Sequence, residues 1–372
     1  MRGLEAIGAE PVAVITQPRS RLVRAGVLNL ATLGYLRPGD DLHASVSRAR
    51  HAARASPLIG TVEGLAARGA VHRAGHLDGI VQIGTGYTLP ATTPIVTFED
   101  MTVAQVKTYP YLGWDLLSTR AFNARVAAQR RAYERAIACC LTSPWAAESV
   151  VRDYGVPREK VHVVGVGRNH SAASVGDRDW SEPRFLFVGM DWPRKNGDGV
   201  IRAFRRLREQ LPTARLDIVG GHPSLDVPGV VGHGVLRLDS PDQRTQLGKL
   251  YGEATCFVMP SHVEASSIAY VEAAAAGLPS IGTSEGGSDF LIGDGGLIVH
   301  PDDDEALFQA MRQLSDSETA VRMGAAAQRR SDLFTWTAVA QRLLDAFAGD
   351  PGDWMGSAAA VSAASPTDDA EA

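Results

Sequence analysis

Between Arg184 and Val299 the chain alternates short, almost purely apolar runs with stretches whose apolar residues recur at helical spacing. Arg184–Gly189 reads RFLFVG, and after Arg184 nothing in it is polar enough to face water. Gly197–Gln210 follows, with Val200, Ile201, Phe204 and Leu207 on one helical stripe. Strands are then expected at Arg215–Val219, Val230–Val235, Cys256–Met259, Pro279–Gly282 and Leu297–Val299. Helices are expected at Asp242–Glu253 and Ser267–Ala276, the latter stopped by Gly277. Apolar strands separated by amphipathic helices require a parallel sheet covered on both faces.

The first half repeats the pattern. Pro11–Ile15, Gly79–Ile83, Pro94–Thr97 and Ile137–Leu141 are expected strands, with helices at Arg2–Gly8 and Phe122–Arg135. Residues 168–183 have no pattern and many turn formers, so they predict a linker between two Rossmann-like domains. From Pro351 the chain is rich in Ala and Ser and ends in acids, which predicts a disordered tail over 351–372. A chain of 372 residues accommodates two such domains.

Charge is uneven. Residues 1–175 carry 20 Lys+Arg against 13 Asp+Glu, and the remainder 17 against 29. The basic half suits a solvated surface, an acidic substrate, or peripheral contact with an anionic membrane. Cys139 and Cys140 are adjacent in an apolar run and read as buried thiols of a reducing compartment. No apolar run reaches the ~18 residues of a membrane span. The expectation is a cytoplasmic protein, with the inner membrane face as the place for any membrane contact.

Two constellations carry chemistry. The first is Glu264-Ala-Ser-Ser-Ile-Ala-Tyr-Val-Glu272, then four alanines and Gly277-Leu-Pro279. Taken singly, Glu264 is a helix-start carboxylate and Glu272 a solvated one. In the full cassette, a strand feeds a Pro-Ser turn, and both carboxylates flank the start of an Ala-rich helix. Carboxylates accept hydrogen bonds from sugar hydroxyls, and free N–H groups at a helix start suit phosphate oxygens. The second is Gly189-Met-Asp-Trp-Pro-Arg194-Lys195-Asn-Gly197, where two cations follow a strand end. Such cations suit a departing diphosphate. Only four of the chain's bases are lysines, so Lys195 inside a motif is less readily surface decoration.

With these residues the chain resembles the retaining glycosyltransferases of family 4, which have the GT-B fold. The resemblance extends over most of 138–347. It takes in Leu141-Thr-Ser143 to Tyr154-Gly155-Val156, Val163-Val-Gly-Val-Gly167, Ile281-Gly-Thr-Ser-Glu285-Gly286-Gly287, Gly295-Gly296-Leu-Ile-Val299 and Phe334-Thr-Trp336. It implies an N-terminal acceptor-side domain over 1–167, a linker over 168–183, a nucleotide-sugar domain over 184–333 and a helix over 334–350 that crosses back. It also implies roles. Glu272 holds the donor ribose, and Glu264 lies near the donor sugar. Ser267 and Ile268 offer backbone N–H groups to the diphosphate. Glu285, Gly286 and Gly287 form a loop near the donor, and Gly189 is a further donor-binding residue. Lys195 binds phosphate. The family's arginine after the glycine is here Met190, so Arg194 is expected to supply the second cation.

On the acceptor side, Glu99 and Asp100 end a strand and suit an acceptor hydroxyl, although Asp100 equally suits a helix cap. Gly84 and Gly86 follow another strand and are expected to line the cleft. Family N-domains open with a strand and a Gly-rich loop, whereas this chain opens on a helix. That order predicts a strand and loop upstream of Met1, or an incomplete N-domain.

Other chemistry lacks its motifs: there is no Walker A run, no His-Glu-x-x-His, no Gly-x-Ser-x-Gly and no aromatic-interleaved basic patch for nucleic acid. The expected function is metal-independent transfer of a sugar from a nucleotide-sugar donor to a glycan, lipid or small-molecule acceptor, with no cofactor beyond that co-substrate. The alternatives are a GT-B epimerase or phosphorylase, or a non-catalytic nucleotide-sugar-binding protein.

Overall fold

The computed structural model describes residues 2–11, 21–36, 42–90, 92–109, 111, 113–169, 178–350 and 354. The chain divides into two compact units, 1–164 with 340–352, and 165–339 with 353–372.

The first unit begins with α1 (Arg2–Ala6), α2 (Arg21–Leu33), α3 (Leu42–Ala55) and α4 (Pro57–Ala74). The strand expected at Pro11–Ile15 falls, from residue 12 onward, outside the described residues. β1 (Ile80–Ile83), β2 (Ile95–Glu99), α5 (Val103–Thr108), α6 (Thr119–Arg135), β3 (Ala138–Leu141), α7 (Pro144–Tyr154) and β4 (Val161–Val163) follow. The described strands are all parallel, in the order β1-β2-β3-β4. Helix α7 is delimited as its sequence dictates: the Ser143 side chain caps it, Pro144 opens it, and Gly155 ends it with φ 70°.

The second unit contains β5 (Arg184–Gly189), α8 (Gly197–Gln210), β6 (Arg215–Gly220), β7 (Val230–Gly234), α9 (Pro241–Glu253) and β8 (Cys256–Val258). It continues with α10 (Ile268–Ala275), β9 (Ser280–Thr283), α11 (Ser288–Ile292), β10 (Gly296–Val299), α12 (Asp304–Gln313) and α13 (Ser317–Ser331). The last helix, α14 (Trp336–Ala348), starts in the second unit and ends in the first. Six parallel strands lie in the order β10-β9-β8-β5-β6-β7. The apolar run Phe185-Leu-Phe187 is fully buried between the helices on both faces, as are Phe204, Phe257 and Tyr270. Strand order reverses between β5 and β8, and in a doubly wound sheet ligands bind beyond the strand ends at that point.

The segment read as a linker is tied down at both described ends. Arg168 N–H donates to Phe334 O at 3.0 Å, and Trp336 Nε1 to Asn169 Oδ1 at 3.0 Å. Arg178 lies over the Trp180 ring and donates to four carbonyls: Tyr251 and Gly252 at the end of α9, Ala276 and Gly277 after α10. Residues 170–177 lie outside the description. Of the expected tail only Trp354 is described, and it departs from expectation, because its indole packs on the core of the second unit.

Candidate active site

The switch point is built by two loops. After β5, residues 190–196 form a tight turn in which Lys195 N–H donates to Asp191 O at 2.8 Å and Gly197 N–H to Trp192 O at 3.1 Å. Asn196 closes it in the left-handed region, φ 57°. Its amide accepts from Gly199 N–H, capping α8, and donates to Pro301 O at 2.7 Å. After β8, residues 259–264 lead toward α10, and His262 N–H donates to Arg194 O at 2.8 Å, fastening the two loops together.

Glu264 is held by its backbone as well. Its N–H donates to Glu285 O, and its carbonyl accepts from Gly287 N–H, both at 2.9 Å. Between them Gly286 has φ 120°, and a Cβ there would lie 2.0 Å from Glu264 O. Only glycine fits that approach.

The side chains of these loops converge. Lys195 Nζ is ion-paired with Glu264 Oε2, and both residues are buried. Arg194 Nη1 lies 3.5 Å from the same oxygen and donates to Val263 O at 3.0 Å, while its Nε lies 3.3 Å from Asp191 Oδ2. Ser261 Oγ is 3.5 Å from Glu264 Oε2. Burial pulls the Lys195 ammonium below its ordinary pKa, and the Glu264 charge opposes that pull. Met190 is exposed.

Helix α10 begins one residue beyond Ser267, whose side chain makes no capping hydrogen bond. Glu272 is the helix's fifth residue. Burial raises its pKa to about 7, against hydrogen bonds from the Asn169 backbone and from Tyr251 Oη, the latter at 3.5 Å. Burial likewise drives the Tyr251 phenol well above its usual value.

The structure therefore brings Lys195, Arg194, Glu264, Glu285, Gly286 and Gly287 together beyond the ends of β5 and β8. Gly189 is the β5 residue paired with Gly220. Asp191 and Ser261, unassigned from sequence, join this cluster through partners three residues on, Arg194 and Glu264, whereas Tyr251 reaches Glu272 from 21 residues away, which residue type does not announce. Two histidines stand at the rim, His262 with Nδ1 3.3 Å from Asp302 and His300 with Nε2 3.6 Å from Glu285. Among the described residues, no group of three or more His, Cys, Asp or Glu is placed to hold a metal ion. No described helix is long and apolar enough to cross a membrane.

The first unit arranges its candidates differently. The Glu99 carboxylate ends β2 inside a network, accepting from Thr85 Oγ1, from Gln129 Nε2 at 3.0 Å and from Tyr133 Oη at 2.7 Å. Burial raises its pKa to about 7 despite these donors. Asp100 is exposed, and it does not cap α5. Thr102 does, in a capping box with Gln105, because its hydroxyl sits where Gln105 N–H needs an acceptor. Gly84 has φ 84°, the left-handed conformation glycine tolerates. Gly86 leaves room for Arg125, whose Nη1 would be 2.2 Å from a Cβ there.

Residues 182–317 match the family model of the glycosyl transferases group 1. The D-inositol 3-phosphate glycosyltransferase of Streptomyces avermitilis is 29% identical over 228 residues, covering 54% of this chain and 49% of that protein. A GDP-mannose-dependent alpha-(1-6)-phosphatidylinositol monomannoside mannosyltransferase of Mycolicibacterium smegmatis is 32% identical over 175 residues, 42% of this chain and 45% of that one. The chain thus spans about half the length of these curated relatives. Among solved structures, WaaG, a glycosyltransferase involved in lipopolysaccharide biosynthesis, superposes with a TM-score of 0.58 at 17% identity, over 84% of this chain and 86% of its own. The sucrose-phosphate synthase of Thermosynechococcus elongatus gives 0.56 at 20% identity, over 81% and 78%. The shared fold is GT-B.

Proposed function

We propose that this chain, whose residues 182–317 form a glycosyl transferase group 1 domain, is a retaining glycosyltransferase that moves a sugar from a nucleotide-sugar donor to an acceptor hydroxyl. The observation that carries the reading is the convergence of Lys195 and Arg194 on Glu264 at the switch point of the second unit's sheet.

Negative charge grows on the diphosphate as the glycosidic bond breaks. Fixed cations in a site shielded from water stabilise that charge more than they would in solution. Lys195 and Arg194 are the groups assigned that task, joined by the backbone N–H groups of Ser267 and Ile268. Glu264 keeps the lysine ionised against the pull of burial and orients the donor sugar. Glu272, as the carboxylate, accepts from the ribose hydroxyls. The loop 285–287 borders the sugar. Acceptor attack from the leaving-group side retains the anomeric configuration.

The names of the relatives, one acting on D-inositol 3-phosphate and one on a phosphatidylinositol mannoside, support a cyclitol or sugar hydroxyl as the acceptor, free or lipid-borne. Asp100, exposed beside the enclosed Glu99, is the carboxylate assigned to it.

The test is turnover of GDP-mannose and of UDP-sugars with D-inositol 3-phosphate and simple glycosides, with and without EDTA. The expected product keeps the donor's anomeric configuration, and the rate survives chelation. Inversion would remove the retaining mechanism. Loss with EDTA that magnesium or manganese restores would replace the side-chain cations with a metal.

A further inference from the structure

Trp354 is the one described residue beyond Asp350. In the sequence, residues 355–372 carry only Met355 and Val361 as further large apolar side chains. It stands 5.7 Å from the Phe290 ring with planes at 73°, and 6.2 Å from Phe334 at 88°. Phe290 and Phe334 themselves meet at 5.6 Å and 88°. Three edge-to-face contacts therefore close a triangle, the arrangement that aromatic quadrupoles favour. The Arg330 guanidinium lies 6.0 Å from the Phe290 ring and 5.7 Å from Phe334, and it donates to Phe290 O and Leu291 O.

Phe290 belongs to α11, a helix of five residues. A helix so short has little stability of its own, and tertiary contacts fix where it lies. Its N-terminal neighbour is Gly287, whose N–H donates to Glu264 O, while Glu264 N–H donates to Glu285 O. The aromatic triangle and the Glu264 backbone thus hold opposite ends of one short piece of chain, 285–292.

We propose that Trp354 is a positioning residue for the donor site: its docking on Phe290 and Phe334 fixes α11, and through α11 the loop 285–287 against Glu264. Trp354 then takes part in donor binding through α11 rather than by touching the donor. The role given to the loop rests on the glycosyltransferase reading above. The coupling itself does not, and the two are tested apart.

The experiment compares the full chain with Trp354→Ala and Trp354→Phe. Amide hydrogen exchange without nucleotide reads the coupling, and calorimetry with UDP and GDP reads donor-site affinity. Trp354→Ala is expected to speed exchange across 285–292 and to weaken nucleotide binding about 3- to 10-fold, the size of a lost aromatic pair if all of it is transmitted. Trp354→Phe keeps an edge-to-face partner and should stay near natural values in both. If Trp354→Ala does not fold, Trp354→Leu, which keeps apolar bulk without the ring geometry, must move both readings in the same direction. Natural exchange at 285–292 in a variant whose melting temperature has fallen would make Trp354 an ordinary packing residue and overturn the proposal. A natural chain that binds neither nucleotide refutes the donor reading, and the exchange comparison still decides the coupling.

Discussion

The phenol of Tyr251 donates to the carboxylate of Glu272 across 3.5 Å, joining α9 to α10. Tyr251 is buried, so the contact stabilises the ionised form of a carboxyl group that burial has pushed up to about 7. Glu272 therefore changes charge near neutral pH, far from the 4.5 of an unperturbed glutamate.

Donor affinity should follow that titration. The proposed role needs the carboxylate, which prevails above pH 7. Binding of GDP-mannose or a UDP-sugar, whose diphosphates do not titrate in this range, should tighten about 10-fold from pH 6 to pH 8. Glu272→Gln should bind more weakly at pH 8, by ~1.5–3 kcal/mol for the lost charge-assisted hydrogen bonds, and show no such slope. A slope that persists in Glu272→Gln would assign the titration to another group.

Lys195 and Glu264 should behave as one unit. Lys195→Met leaves a buried carboxylate short of its main partner, a loss worth roughly 3–5 kcal/mol when nothing compensates. Arg194, 3.5 Å from the same oxygen, moderates it. The double variant Lys195→Met with Glu264→Gln should recover part of the stability while turnover stays at least about 100-fold down. Urea unfolding of the two single variants and the double one gives the coupling energy. Strict additivity would mean that the pair is not coupled.

Gly286→Ala and Gly84→Ala separate backbone strain from collision. Both glycines have positive φ, 120° and 84°. A Cβ at Gly84 meets nothing within 4 Å, whereas one at Gly286 meets Glu264 O. Gly84→Ala should cost about 1 kcal/mol, at the low end for such strain. Gly286→Ala should cost clearly more and abolish nucleotide binding, because the loop must leave Glu264 to relieve the clash. Equal effects on melting and on binding would count against the close approach.

Glu99→Gln tests the enclosed network of the first unit. Glu99 titrates near 7 in the folded chain and near 4.5 when unperturbed, so the folded form holds its proton over that interval. Stability contributed by this group accordingly falls as pH rises from about 4.5 to 7, and the cost is complete above it. A shift of that size corresponds to roughly 3 kcal/mol. Glu99→Gln should match the natural chain near pH 4.5 and exceed it at pH 8 in urea unfolding. An offset that does not change with pH would show that Glu99 is not buried as a proton-holding acid.

β5 and β8 were legible because Phe185–Val188 and Cys256–Val258 are unbroken apolar runs, and the other strands of the second unit because they recur between helical patterns, although β6 carries Asp217 and β7 is largely not buried. Lys195 was legible because lysine is scarce in this chain, and Glu264 because it stood in a long ordered motif. The helices α2 to α4 were not. Helix α4 contains Gly60, Gly64 and Gly69, which weaken any helical signal. Two of them are there for contact: a Cβ would lie 2.5 Å from Gly86 O at Gly60 and 2.8 Å from Tyr87 Cβ at Gly64. Glu99 looked like a residue facing a ligand because a carboxylate at a strand end usually does. The donors that enclose it sit on a loop and on α6, 14 to 34 residues away, and residue type does not announce such partners. Arg178 stood in a patternless stretch, and its partners are carbonyls, which every residue has.

That arginine has a consequence for how the second unit opens. One guanidinium donates to Tyr251 and Gly252 at the end of α9 and to Ala276 and Gly277 just after α10, so the two helix ends share one donor. The two helices, 15 residues apart in sequence between Glu253 and Ile268, are tied at their ends by a residue that precedes both. Losing that shared donor is expected to loosen both ends together, and with them the Tyr251–Glu272 contact, which amide exchange in Arg178→Ala would read.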